Sequence, residues 1–327
     1  MPRTRFLCLG LFALAACGDD DASGSVDGSV DGMVDAVVDA SVDASVPDAA
    51  PDATPDADAT VRPPGSHMSY VAPGQAPETA ARLVVFGDSI SAGVGASQGL
   101  EYSLLLAANE DGVYPDDAAA DLESLTGAAV ERVDIAVSGA RTANLAGQLQ
   151  RLQNELTFPA AGHTVVVGTI GGNDVAGLVA GGDPAGAPLD DALANIRGFV
   201  GFFQDPANFP DGTSIYLANV YDPSDGVGQH PSCFFGLPLS RLTDALPVWS
   251  MRYVELGTEL GFSVVDILGF FRGHGYYFDD MMNEFYDMDD PTFWWAGGGD
   301  CLHPNDRGHH EMRRVFFEAM DPTYVAN

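Results

Sequence analysis

Leu83-Val84-Val85-Phe86 is apolar at every position and stops abruptly at Gly87-Asp88-Ser89. A strand with one face in water alternates apolar and polar residues, whereas a run that is apolar throughout must be covered on both faces. Similar short runs recur around 130–137, 164–170, 213–220 and 262–267. Stretches of helical period lie between them. Leu145, Leu149, Leu152 and Leu156 fall at three-four spacing within 142–156, and 190–203 and 240–260 also read as helices. Pro304-Asn305-Asp306 opens a closing helix to Met320, with Val315 and Phe316 on its apolar face. Strands alternating with helices predict an α/β fold: a three-layer α/β/α sandwich around a parallel sheet of about five strands, flavodoxin-like in kind. Sheets of this type bind ligands beyond the carboxyl ends of their strands.

Three of the strand ends carry residues suited to chemistry there. The first run meets Gly87-Asp88-Ser89-Ile90-Ser91, a sharp turn with a serine at its tip. Ile135-Ala136-Val137 runs into Ser138-Gly139-Ala140-Arg141, and Thr164-Val165-Val166-Val167 leads to Thr169-Ile170-Gly171-Gly172-Asn173-Asp174. A fourth group, Asp300-Cys301-Leu302-His303, precedes the closing helix. A serine hydroxyl is a poor nucleophile until a base removes its proton, and that base works better when a carboxylate orients it. Ser89, His303 and Asp300 supply those three parts.

With these four blocks in order over about residues 82–320, the chain resembles the SGNH (GDSL-type) hydrolases. Ser89 matches the first block, Gly139 the second, Asn173 the third, and Asp300 with His303 the last. The stretch from about 222 to 299 has no counterpart. The resemblance implies a serine esterase working through an acyl-enzyme, with no cofactor and no metal. In it Ser89 attacks, His303 moves the proton and Asp300 orients the imidazole. The backbone N–H groups of Ser89 and Gly139 and the side-chain amide of Asn173 form the oxyanion hole. The implied substrate is an ester, an acyl lipid or an acylated glycan. The same residues would serve a carbohydrate O-deacetylase or an acyltransferase, and a surface-binding protein that has lost turnover is the alternative outside catalysis.

Other residues compete for roles. Gly95-Ala96-Ser97-Gln98-Gly99 fits the G-x-S-x-G pattern, but no strand precedes it, which leaves Ser97 without the elbow that pattern needs. His309 and His310 lack a second metal-ligand spacing and read as helix-surface residues. Asp88 and Asp174 are candidates for holding their turns. Tyr276 to Trp295 is rich in aromatic residues and Asp; it reads as a lid or acyl-binding wall, a Ca²⁺ site through Asp287, Asp289 and Asp290, or a packed surface loop.

Arg3 and Arg5, an apolar run over 6–13 and then Leu14-Ala15-Ala16-Cys17 read as a secretory signal. By resemblance to bacterial lipoproteins, Cys17 is the lipidation site, so residues 1–16 are a signal peptide and 17–68 a tethered spacer. Residues 18–64 hold 12 Asp, one Arg and no aromatic residue, too polar to bury a core, and so are expected to be disordered. The hydrolase domain is then 69–327. The chain carries −33, all 14 basic residues are Arg, and about −24 falls on residues 65–327. Such acidity excludes nucleic acid as a partner. The expectation is an exported, monomeric lipoprotein of the cell envelope, at the outer membrane or cell surface. Cys233 and Cys301 are then either a disulfide that pins the Asp300–His303 loop or two buried thiols.

Overall fold

The computed structural model describes residues 67–109, 112–178, 186–229, 240–296 and 300–326. Cys17, residues 18–66 and Cys233 lie outside them. Five strands, β1 (Arg82–Gly87), β2 (Glu131–Asp134), β3 (Thr164–Thr169), β4 (Thr213–Ala218) and β5 (Ser263–Val265), form one sheet in the order β2-β1-β3-β4-β5. Every neighbouring pair is parallel. The order reverses direction beside β1, which places a switch point between β1 and β3 at their carboxyl ends.

The helices are α1 (Tyr102–Ala107), α2 (Leu122–Thr126), α3 (Leu145–Glu155), α4 (Gly172–Leu178), α5 (Ala187–Gln204), α6 (Ser240–Leu260), α7 (Ile267–Phe270) and α8 (Asp306–Met320). Strand parity divides them into two layers. Val84, Phe86, Val166, Ile215 and Leu217 point to the core shared with α3, α5 and α6. Leu83, Val85, Val165, Val167 and Tyr216 point to the other core, with α1, α7 and α8. The runs are apolar throughout because both parities are buried, each aliphatic side chain contributing about 1.5–3 kcal/mol. The three-layer α/β/α sandwich expected from the sequence is therefore present.

Boundaries differ where a polar group ends an element. The second strand stops at Asp134 rather than 137. Ile135 and Val137 still donate to the Val85 and Gly87 carbonyls at 2.8 and 3.0 Å, but the reciprocal bonds of a ladder are not made. The fifth ends at Val265 because the Asp266 carboxylate accepts the Gly269 N–H at 3.0 Å and starts α7. Outside β5, Tyr70 exchanges two 2.8 Å backbone bonds with Val264 and covers that edge.

Candidate active site

The turn after β1 is set by glycine. Gly87 has φ +122°, and a Cβ there would lie 2.0 Å from the Thr169 carbonyl oxygen. Absence of a side chain thus lets β1 and β3 stay in contact to their last residue, where the Asp88 N–H donates to that carbonyl at 3.0 Å. The chain then coils, with Ala92, Gly93 and Val94 N–H groups donating to the carbonyls of Asp88, Ile90 and Ser89. Ser89 stands half-buried at the head of this coil.

Ser89 Oγ lies 2.8 Å from His303 Nε2, and His303 Nδ1 lies 2.8 and 3.0 Å from the two Asp300 carboxylate oxygens. Asp300 Oδ1 also accepts the backbone N–H groups of Leu302 and His303 at 3.0 and 3.1 Å. Burial pushes the Asp300 carboxyl up, but the Leu302 N–H and the bond and charge of His303 outweigh it and hold the group below the usual carboxylate range. Acid and imidazole are three residues apart on one loop, so their contact is local. The contact with Ser89 spans the sheet.

That loop is gripped from four directions. The Tyr221 hydroxyl donates to the Leu302 carbonyl, and the Tyr276 hydroxyl donates to the Asp300 carbonyl at 2.7 Å. Ala296 N–H donates to the His303 carbonyl at 2.7 Å, and Asn305 N–H to the Trp294 carbonyl at 2.9 Å. Cys301 is buried and disulfide-bonded; Cys233, the expected partner, lies outside the described residues. The aromatic segment 276–295 works as this brace. Phe285, Trp294 and Trp295 are buried, and Trp295 packs 4.4 Å from Tyr221. No residue of the segment lines the cavity above Ser89, which corrects the expectation of an acyl-binding wall there. Asp287 Oδ1 accepts the N–H groups of Asp289 and Asp290 within a turn. Among the described residues no three His, Cys, Asp or Glu stand together as a metal-binding group.

The cavity, of about 200 Å³, opens at the switch point. Ser89, Gly139, Asn173 and His303 all line it, so the four sequence blocks converge on one space. Gly139 has φ +80° with no atom within 4 Å of a Cβ position, and Asn173 Nδ2 donates to the Ala140 carbonyl at 2.9 Å. Asp174, a candidate for holding its own turn, holds a neighbouring loop. Its carboxylate accepts the Thr142 N–H at 3.0 Å and hydroxyl at 2.7 Å, tying the Gly139 loop to the first turn of α4. The remaining wall is apolar: Ile90, Ile170, Val220, Pro223 and Ile267.

Asp88 holds its turn as expected, and Ser91, which the sequence did not single out, bonds to the end of β3 beside it. Asp88 is buried, and its Oδ1 accepts the Thr169 hydroxyl at 2.8 Å and the Ile90 N–H at 3.1 Å. Burial pushes its carboxyl up to about 6. Ser91 Oγ accepts the Thr169 N–H at 2.9 Å and meets the Tyr102 hydroxyl at 3.0 Å. A turn serine two residues after Ser89 was the only available signal. Ser97 does not approach His303: its hydroxyl donates to Asp306 at 2.9 Å. His309 and His310 are buried, not on the helix surface, at 0 % and 3 % exposure. The His309 ring receives the Tyr102 N–H at 3.3 Å and meets the Val94 carbonyl at 3.2 Å, while His310 stacks on Tyr114 at 3.5 Å.

Fold and site together define a hydrolase of the SGNH class, with its residues at the carboxyl edge of a parallel sheet. The chain belongs to the GDSL-like lipase/acylhydrolase family, whose profile matches residues 85–311. Solved structures that the chain resembles include a variant of Axe2, an acetyl xylan esterase from Geobacillus stearothermophilus. It is 20% identical, covers 76% of this chain and 100% of its own, and has a TM-score of 0.46. An extracellular lipase from Streptomyces rimosus is 19% identical over 73% of this chain and 100% of its own, with a TM-score of 0.42. TesA is 20% identical over 74% of this chain and 98% of its own, with a TM-score of 0.44. No curated protein matches the chain.

Proposed function

We propose that this chain is a serine esterase that hydrolyses carboxylic esters through an acyl-enzyme. The observation that carries the reading is the unbroken path Asp300–His303–Ser89, with heavy-atom separations of 2.8 and 2.8 Å, beside Gly139 and Asn173 in one cavity. Ser89 Oγ attacks the acyl carbon while His303 Nε2 takes its proton. The carbonyl oxygen becomes an oxyanion that accepts from the Ser89 and Gly139 N–H groups and from Asn173 Nδ2. Asn173 Nδ2 carries two hydrogens, one of which the Ala140 carbonyl uses. Collapse of the intermediate breaks the ester C–O bond, and His303 returns the proton to the leaving alcohol. Water then attacks the acyl-serine with the same base, releasing the acid and restoring Ser89.

An apolar cavity of about 200 Å³ favours a short acyl chain, since drug-sized ligand pockets start at roughly 300 Å³. The alcohol half then lies outside it, where a glycan or a lipid headgroup is equally accommodated. The N-terminal Leu14-Ala15-Ala16-Cys17 supports an exported enzyme tethered to the cell envelope through Cys17. The test of the chemistry is hydrolysis of p-nitrophenyl acetate and longer-chain esters by the parent protein and Ser89→Ala. We expect turnover that is strongest with short chains and falls at least about a thousandfold in the variant. Turnover surviving in folded Ser89→Ala would show the nucleophile to be another residue.

A further inference from the structure

A buried glutamine on α3 holds the first turn of the site. Gln148 is 1 % exposed, on the stripe of α3 that also buries Leu145 and Leu152. Both polar atoms of its amide bond to one residue: Oε1 accepts the Gly87 N–H at 2.8 Å, and Nε2 donates to the Gly87 carbonyl at 2.7 Å. Gly87 is the last residue of β1, and Ser89 follows two positions later.

The reason for the arrangement lies in the early end of β2. The ladder between β1 and β2 runs to the pair Val85–Asp134. In a continued parallel ladder Ile135 would accept the Gly87 N–H, having already donated to the Val85 carbonyl at 2.8 Å. The Ile135 carbonyl instead receives Arg151 at 3.4 Å. The chain leaves the sheet here because it must swing outward to present Gly139. That departure orphans a buried N–H beside the nucleophile, and Gln148 fills the vacancy as a one-residue substitute for a strand. On the opposite side, the Thr169 carbonyl accepts the Asp88 N–H at 3.0 Å. The two successive peptide units that aim Ser89 at His303 are therefore clamped from both flanks.

We propose that Gln148 is a positioning residue for the nucleophile: its amide fixes the Gly87 peptide planes, and through them the direction of Ser89 Oγ toward His303. The proposal rests on Ser89 being the nucleophile. Gln148 touches no substrate, so its loss should appear in kcat and leave KM in place. A misplacement of about 1 Å in a reacting group can cost about a hundredfold in rate.

The test uses the full protein, p-nitrophenyl acetate and two variants, each measured for kcat, KM and thermal unfolding. Gln148→Leu keeps the volume and removes both bonds; the expected result is a kcat about 30- to 100-fold lower with KM within about threefold. Gln148→Glu is the rescue. A protonated carboxyl reproduces both bonds, whereas a carboxylate can accept the Gly87 N–H but repels the Gly87 carbonyl. Its kcat, taken as a ratio to the parent at each pH, should rise as pH falls from about 8 to about 5.5. A folded Gln148→Leu with kcat within about threefold of the parent overturns the proposal, as does a Gln148→Glu ratio that stays flat and well below one across that range. Should Gln148→Leu not fold, the Gln148→Glu ratio decides alone. Ser89→Ala runs in parallel: turnover surviving there refutes the esterase reading itself, an outcome distinct from either Gln148 result.

Discussion

Asn173 separates chemistry from folding most cleanly. It is half-buried, and its side-chain amide donates to the Ala140 carbonyl at 2.9 Å. Losing such a bond costs folding about 1 kcal/mol, while losing an oxyanion donor costs the transition state on the order of 3 kcal/mol. Asn173→Ala is thus expected to lose about a hundredfold in kcat and only a few degrees in Tm. Near-parental turnover in the folded variant would remove Asn173 from the oxyanion hole. The meeting of Asn173 with Ser89, Gly139 and the Asp300–His303 loop was legible in the sequence, because the four blocks occur together in order and three of them follow strand ends. Gln148 was not legible. Its partner is a backbone group 61 positions away, and a polar residue on an apolar helix stripe announces a burial problem without naming its solution. The histidines of the closing helix were misplaced for a related reason. A neutral imidazole with a partner on each nitrogen is at home in a core, and the sequence does not display the partners.

Among the elements, α8 carries an acid-sensitive contact. Burial pushes His309 down to about 4, against the opposing pull of the Val94 carbonyl and the Glu101 and Asp306 carboxylates, with His303 adding to the depression. The unfolded chain binds a proton at this histidine near 6.5 and the folded chain only near 4. The stabilisation is therefore complete above about 6.5 and is lost as pH falls toward 4, on the order of 3 kcal/mol in all. Urea unfolding across that interval should show a shallower pH slope in His309→Gln than in the parent; identical slopes would exclude His309 as the source. The main strands and long helices could be read from periodicity, which needs several turns or residues to register. The helices α1, α4 and α7, of six, seven and four residues, are too short for a period and depend on tertiary contacts. The overlong reading of β2 had a real basis, since Ile135 and Val137 do bond to β1 in one direction. Apolar character marks burial beside a sheet as readily as membership in it.

For the whole molecule, the charge of −33 is spread along the sequence, about −24 of it on residues 65–327, and the described residues contain no helix long and apolar enough to cross a membrane. In the proposed scheme, attachment to the envelope is through Cys17. Cys17→Ser should abolish incorporation of labelled fatty acid and move the protein from the membrane to the soluble fraction, with esterase activity per molecule unchanged. Continued incorporation would refute lipidation at that residue. The folded part has a further property that follows from strand parity. Leu83 and Val85 serve one hydrophobic layer, Val84 and Phe86 the other, and Ser89 is fixed to the end of the same strand. A slip of one residue in β1 would exchange the two layers and carry Ser89 about 3.3 Å along the sheet, farther than its 2.8 Å link to His303 can tolerate. Misregistered molecules are thereby silent as well as unstable. Specific activity in a preparation counts the molecules whose sheet is correctly assembled, and catalysis serves as the inspection step for its own scaffold.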